Sequence, residues 1–281
     1  MTATTQSAAK RAAIEHMGAD AAVMDGLNAM AVGEVVAQAH PDVIVPQMTA
    51  IGGRRPDMKH MDRWFAVTNR LRTEGTDHLV TAAAAAGVPH LVAQSCASWS
   101  GIRQGGWVKT AALRLDLYAG TAAEPVMVAV RHLEEAVLGT GGTVLRYGGL
   151  YGPGATDDQV TLVRQRQFPV VGGRQGHCSW VPVDDAASAT VLAVELATRG
   201  VVNRVDEEPA PAAAWLPHLA GCCSAKRPMR VPGWLVRVLA GDVAVAMMTE
   251  GRGFSDARPK GELGWVLRHP SWRDGVREGL S

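Results

Sequence analysis

Short apolar runs alternate along this chain with longer stretches in which apolar residues recur every three or four positions. The short runs are rich in β-branched residues and stop at turn residues, the pattern of buried strands; the longer ones have the period of amphipathic helices. Thr2-Ala3-Thr4-Thr5 reads as the end of a strand, and Ser7 is placed to cap a helix from Ala8 to Met17 that Gly18 stops. Ala21-Ala22-Val23-Met24 is a short strand ending at Asp25-Gly26, and Asn28 caps a helix that runs to His40-Pro41. Val43-Ile44-Val45 is the next strand, and Pro46 to Lys59 a loop. One long helix is expected from Asp62 to Ala86, with Trp64, Phe65, Val67, Leu71 and Leu79 on a broad apolar face. His90–Ala93 is a strand, Ser95 to Thr121 an aperiodic connection of the kind that carries function, and Glu124 to Leu138 a helix.

The chain is organised around Val144 to Gly154. An apolar strand ends abruptly in Gly148-Gly149-Leu150-Tyr151-Gly152-Pro153-Gly154. In open parallel sheets, ligands bind beyond the carboxyl ends of strands, and two glycines there let the backbone approach a ligand closely. Strands alternating with helices imply a doubly wound parallel α/β sheet. After residue 154 the alternation weakens into a helix at 157–166, strands near Val170 and at Trp180–Val183, a helix at 185–198, a returning strand at Val201–Val205 and a mostly helical remainder. We expect a doubly wound domain over residues 1–154 and a smaller lobe over 155–281, interleaved with the first near 178–206.

Three segments carry a resemblance. Arg146-Tyr147-Gly148-Gly149-Leu150-Tyr151-Gly152-Pro153-Gly154 resembles the R-x-x-x-x-Y-G-P-G segment of the extended short-chain dehydrogenase/reductase family, also described as NAD-dependent epimerases/dehydratases. Val181-Pro182-Val183-Asp184-Asp185-Ala186-Ala187 is similar to its V-x-V-D-D-x-A element, and Glu262-Leu263-Gly264-Trp265 with Pro270-Ser271-Trp272 to its L-G-W signature. Order and spacing agree over nearly the whole chain. The resemblance implies a Rossmann-like fold, in which the domain at 1–154 binds a nucleotide and the lobe at 155–281 forms the substrate side, and NADP or NAD as cofactor.

The sequence departs from that family in two places. A Rossmann sheet opens with a strand, a glycine-rich turn and a helix whose N-terminus receives the pyrophosphate. No such element is in the sequence; Gly172–Gly176 and Gly139–Gly142 stand in the wrong order of elements. Aligned on the family, Thr2–Thr5 matches its second strand, so about 20 residues or more are absent. The start is truncated, or the phosphate cradle was discarded; losing a central strand leaves two ladders unpaired, so truncation is the expectation. As given, the chain is expected to hold a dinucleotide only weakly. The resemblance assigns Thr5, Gln6, Ser7 and Lys10 to the adenosine ribose, Asp25 and Gly26 to the adenine end, and Gln47 and Thr49 to the loop along the dinucleotide, with Tyr147 and Gly149 at its far end. Lys10 and Arg11, with no acid at the end of the strand, lean towards NADP; a solvated helix face explains them equally well.

The catalytic set departs too. Family chemistry uses Ser or Thr with Y-x-x-x-K, in which a lysine ammonium lowers the pKa of the proton-transferring phenol. Here Met127 occupies the Tyr position and Arg131 the Lys position, with Glu135 at the family's spacing. Methionine exchanges no proton, and arginine cannot act as a base near neutrality. Cys96 stands at the hydroxyl position, between Ser95 and Ser98; a small buried thiol fits it better than a nucleophile. If hydride chemistry survives with a proton donor, Ser98 and His177 are the candidates to supply it, and Arg131 to hold charge. Cys178 replaces the arginine with which sugar-nucleotide epimerases grip a diphosphate, so a small, fairly apolar substrate is expected, in a pocket of Ser95, Cys96, Trp99, Trp107, Met127 and Trp180. Asp184 and Asp185 are read as helix N-capping groups.

Composition narrows the partners. Net charge is +1, which makes no case for nucleic acid or an anionic membrane. No apolar run reaches the ~20 residues that span a bilayer, no leader is evident, and the four cysteines have neither metal spacing nor a disulfide framework. We expect a cytoplasmic protein without a metal, dimeric through the helices at 62–86 and 124–138. The leading function is an NAD(P)-linked epimerase/dehydratase-like oxidoreductase. A redox-neutral isomerase, cyclase or dehydratase on the same scaffold, and a non-catalytic ligand-binding protein, stay open beside it.

Overall fold

The computed structural model describes residues 1–52, 56–109, 114–172, 176–255 and 265–279. Four strands form a parallel sheet: β3 (Val43–Ile44), β4 (His90–Cys96), β6 (Thr143–Tyr147) and β11 (Gly200–Arg204), in the order β11-β6-β4-β3. Two further parallel strands, β1 (Thr2–Thr5) and β2 (Asp20–Val23), pair only with each other. Among the described residues no ladder joins β1 to β3. The sheet therefore divides between β1 and β3.

Helices cover both parts. Asn28 caps α2 (Ala29–Ala39) as expected, its Oδ1 accepting from the N–H groups of Met30 and Ala31 at 3.1 Å. Ser7 makes no side-chain cap; a 3₁₀ turn at Ala8–Lys10 leads into α1 (Arg11–His16) instead. α2 packs on α5 (Thr76–Ala86) around Met24, Val32, Val36, Leu79 and Ala82. α6 (Glu124–Gly139) lies against β4 and β6, burying Val126, Met127, Val130, Leu133 and Val137.

The expected single helix from 62 to 86 is broken. It forms α3 (Met61–Trp64), α4 (Ala66–Arg70), a π-helical turn at Leu71–Gly75, and α5. Phe65 leaves helical geometry at φ −89°, ψ 0°, and the π turn inserts an extra residue where Gly75 packs against Met48 and the Gly26 carbonyl. Such turns are rare and recur at functional sites.

The remainder folds over the carboxyl end of the sheet. Short pairs, β7 (Gly149–Tyr151) with β10 (Trp180–Pro182) and β9 (His177–Cys178) with β12 (Ala210–Pro211), carry α7 (Asp157–Arg164), α8 (Val183–Glu195) and α9 (Ala212–Cys222). α10 (Gly233–Glu250) kinks at Gly241, and α11 (Trp272–Gly279) closes this side. No described helix is long and apolar enough to cross a membrane. Of the L-G-W segment, residues 262–264 lie outside the described residues. Trp265 is buried, donates to Ser188 Oγ at 3.3 Å and lies under the Arg204 guanidinium.

Candidate active site

The site begins from a buried polar knot at the end of β4. Ser95 Oγ donates to Glu134 Oε1 at 2.5 Å, and Arg146 grips both Glu134 oxygens at 2.8 and 2.7 Å. The pair is 6% and 7% exposed, so its charges rest on each other and on the Ser95 hydroxyl. It ties β4, α6 and β6 together beneath the site. Ser95, expected in the substrate pocket, is thus a structural anchor.

One residue on, the chain enters an apolar cluster. Met127 is 1% exposed and packs with Ala97, Tyr118, Val126 and Val130, with Cys96 and Trp99 against them. Trp99 also touches the second cluster, which contains Trp180, Tyr151 and Trp215, so it joins the two. The Cys96 thiol contacts Ser100 Oγ at 3.8 Å. Burial pushes its pKa up and outweighs the opposing pull of Arg72 and the Ser100 hydroxyl. The thiol stays protonated near neutrality, as a packing group does.

The glycine turn after β6 serves packing. A Cβ on Gly148 would stand 2.7 Å from the Trp180 carbonyl carbon, and one on Gly149 would stand 2.9 Å from the Trp180 ring and 3.2 Å from Ser98 Oγ. The close approach expected towards a ligand is made to β10 instead. Ser98 does sit at this junction: its carbonyl accepts from Ser179 N at 2.8 Å, while Gly149 N donates to Ser179 O at 2.8 Å. Tyr147, assigned to the cofactor, points the other way; it is buried, and its hydroxyl bonds to Thr190 Oγ1 and the Ala186 carbonyl.

Other expected residues fall elsewhere. Arg131 is half exposed on the outer face of α6 with Glu135, 3.8 Å away. His177 stacks on Trp107 at 5.2 Å, and Arg252 covers that indole at 3.9 Å. Asp185 does not cap its helix. Its carboxylate accepts the backbone N–H groups of Arg268 at 3.1 Å and His269 at 3.4 Å, while exposed Asp184 pairs with Arg268. Trp180 stands edge-on to Trp215 at 4.7 Å and belongs to a cavity lined also by Tyr151 and Trp272.

The residues assigned to adenosine do gather. Gln6 Nε2 donates to Asp25 Oδ1 at 3.0 Å, Leu27 N donates to the same oxygen, and Ser7 N bonds to Thr5 Oγ1. Gly26 lies under Met48, where a Cβ would come within 2.4 Å of its sulfur. Lys10, Gln47 and Thr49 are exposed. This exposed set of donors and acceptors beyond the ends of β1 and β2 fits the adenosine half of a dinucleotide. Among the described residues no glycine turn leads into a helix N-terminus for its pyrophosphate.

Sequence reasoning missed Glu134, using its neighbour Glu135 to fix the register. It also missed Arg72, which the π turn directs inward beside Phe65, its guanidinium 5.5 Å from the ring centre. The available signal was position: 61, 65, 68, 72, 75, 79 and 83 form one helical stripe, and Arg72 interrupts it.

Known proteins share this fold. A 3-diazoavenalumate denitrifying reductase from a Streptomyces species is 43% identical over 262 residues, covering 90% of this chain and 84% of that protein. The Thermotoga maritima UDP-glucose 4-epimerase structure with UDP-glucose superposes with a TM-score of 0.75 at 15% identity, covering 99% of this chain and 89% of that one. A human epimerase family protein with NADPH gives 0.72 at 16% identity, covering 100% and 99%. Residues 2–205 match the NAD dependent epimerase/dehydratase family. By the match over residues 2–205 and the 43% identical relative, the chain belongs to the NAD-dependent epimerase/dehydratase family, whose cofactor is a nicotinamide dinucleotide.

Proposed function

We propose that this protein is an NADPH- or NADH-dependent reductase that removes a diazo group from a small aromatic acid as N₂ and leaves hydrogen in its place. The observation that carries this reading is Met127. A carbonyl reduced by hydride becomes an alkoxide and needs a proton, which the family's tyrosine supplies. An arenediazonium is already cationic and its leaving group is neutral. When bound, the reduced cofactor supplies one hydride: a C–H bond forms, the C–N bond breaks with its electron pair leaving on N₂, and no proton is taken up. A site for that reaction has no use for an acid, and here the acid's position is filled by a buried thioether within an apolar cluster.

The chain's own residues then bind and exclude water. Trp99, partly buried with Tyr118 and Met127 packed behind it, would give an aryl ring an apolar, aromatic wall. The Gln6–Asp25 pair and Lys10 would hold the adenosine end, and Lys10 and Arg11 favour the 2′-phosphate of NADP. Ser98 borders the site through its backbone and needs no proton-transfer role. The 43% identical reductase supports the reaction class. We also read the protein as cytoplasmic and as a homodimer, with Val67 and Val128 exposed on the two helical segments concerned.

The test is to mix the protein, NADPH and a carboxylated arenediazonium and to follow nicotinamide absorbance together with N₂ release. One N₂ per NADPH oxidised, with unsubstituted arene as product, is expected. NADPH oxidation without N₂, or N₂ released equally without the protein, would overturn the proposal.

A further inference from the structure

Among the described residues, Arg72 has no carboxylate to face. Its neighbour Arg70 makes two 2.8 Å bonds to Glu74, and Arg146, the other guanidinium near Cys96, holds Glu134. Arg72 Nη1, in contrast, is shut off from solvent and has no hydrogen-bond partner among the described residues. Desolvation pulls its pKa down, opposed only by Cys96. Three residues earlier on the same face, Asn69 Oδ1 is also buried without a partner among the described residues. Removing a guanidinium from water without a counter-charge is costly, and a folded chain keeps one where something else completes it.

Its setting says where that completion occurs. Arg72 lies on the π turn between two parts of the site. On one side Gly75 abuts Met48 and Gly26, at the adenosine end; on the other stand Phe65 and Cys96. α4 beneath it holds the loop after β3 through Thr68 Oγ1, which accepts from Ala50 N at 3.0 Å. Arginine's planar fork matches the paired oxygens of a carboxylate or phosphate.

We propose that Arg72 receives an oxyanion of a bound reactant, a carboxylate or phosphate oxygen, beside Cys96. A substrate carboxylate is one source, and this branch rests on the proposed reduction of an aromatic acid. A dinucleotide phosphate is the other and does not.

Calorimetric titration of the whole chain separates them, using cinnamate, methyl cinnamate and inorganic pyrophosphate as probes on the parent, Arg72→Met and Arg72→Lys. Arg72→Met should lose roughly 10- to 100-fold in affinity for one anion, the effect of a charge-assisted hydrogen bond, with the ester unchanged. Loss confined to cinnamate assigns the substrate carboxylate; loss confined to pyrophosphate assigns the phosphate. Arg72→Lys keeps the charge without the fork and should recover part of the affinity, which keeps the test decisive if the methionine variant does not fold. Equal binding of both anions by parent and variants, or no binding of either by the parent, would overturn the proposal. The probes carry no diazo group and no turnover is measured, so the outcome is independent of whether denitrification occurs.

Discussion

The four-stranded sheet and the two-stranded pair beside it are built from similar short apolar segments, yet they are held in different ways. Every residue of β6 is buried, and its end is fixed by the Ser95–Glu134–Arg146 knot. β1 has no fully buried residue, and its end is fixed by Gln6 and Asp25 in contact with water. α1 packs on β2, and Met24, one residue past β2, reaches the cluster of Val32, Val36 and Leu79 between α2 and α5. The four-stranded sheet is thus locked from inside, while the pair proposed to meet the adenosine end of a cofactor has no buried residue in either strand. Regions with few buried contacts and solvent-exposed bonds open first.

The strongest way to break this contrast is Glu134→Gln. It strands Arg146 in the interior and should cost about 3–5 kcal/mol in urea unfolding. The matching change on the other side, Gln6→Ala, should stay within about 0.5 kcal/mol. Similar losses at both positions would erase the distinction.

A second effect is one of slope. Burial pushes the Asp206 carboxyl up from 3.8 to about 8, against the opposing hydrogen bonds from the N–H groups of Trp272 and Glu208. A raised folded-state pKa stabilises the fold fully below the unfolded value, and that contribution is lost as pH rises to about 8. The parent should therefore lose stability between about pH 4 and 8, and Asp206→Asn should flatten the curve over that window. An unchanged slope in the variant would show that the carboxyl is ionised in the folded protein.

Smaller still is Val32→Ala, which removes fully buried methyl groups from the α2–α5 cluster that Met24 joins and should cost roughly 2 kcal/mol. Hydrogen exchange would sharpen it: amides of β1 and β2 should exchange before those of β4 and β6, and further ahead in the variant. The least effect is expected from Met127→Leu, under about 1.5 kcal/mol in stability and within a few-fold in reductase turnover. A large loss of turnover would mean that the thioether itself takes part.

Much of the sheet was legible because its strands are apolar on both faces and end at Gly, Pro or Asp. The Asn28 cap was legible because its chemistry is local. The Asp62–Ala86 stretch was not, since nothing in an apolar period distinguishes an α turn from a π turn. Arg146 stood out inside a motif, but its partner Glu134 did not, because a buried carboxylate reads like any helical glutamate until a third element packs over it. Gly148 and Gly149 were read as places where the backbone approaches a ligand closely. What approaches them, the Trp180 backbone, comes from far downstream in the chain and leaves no local trace.

The π turn at Leu71–Gly75 has a consequence for how this chain can vary in length. A π turn holds one residue more than an α turn, so excising one residue there can relax it to regular helix without rotating the helices on either side. Elsewhere in α4 or α5 a single deletion would swing every following side chain by about 100° and turn Leu79 and Ala83 away from the sheet. Relatives that are one residue shorter should show the gap inside 71–75, and they should differ from this chain in where, or whether, they place a cation at the position of Arg72.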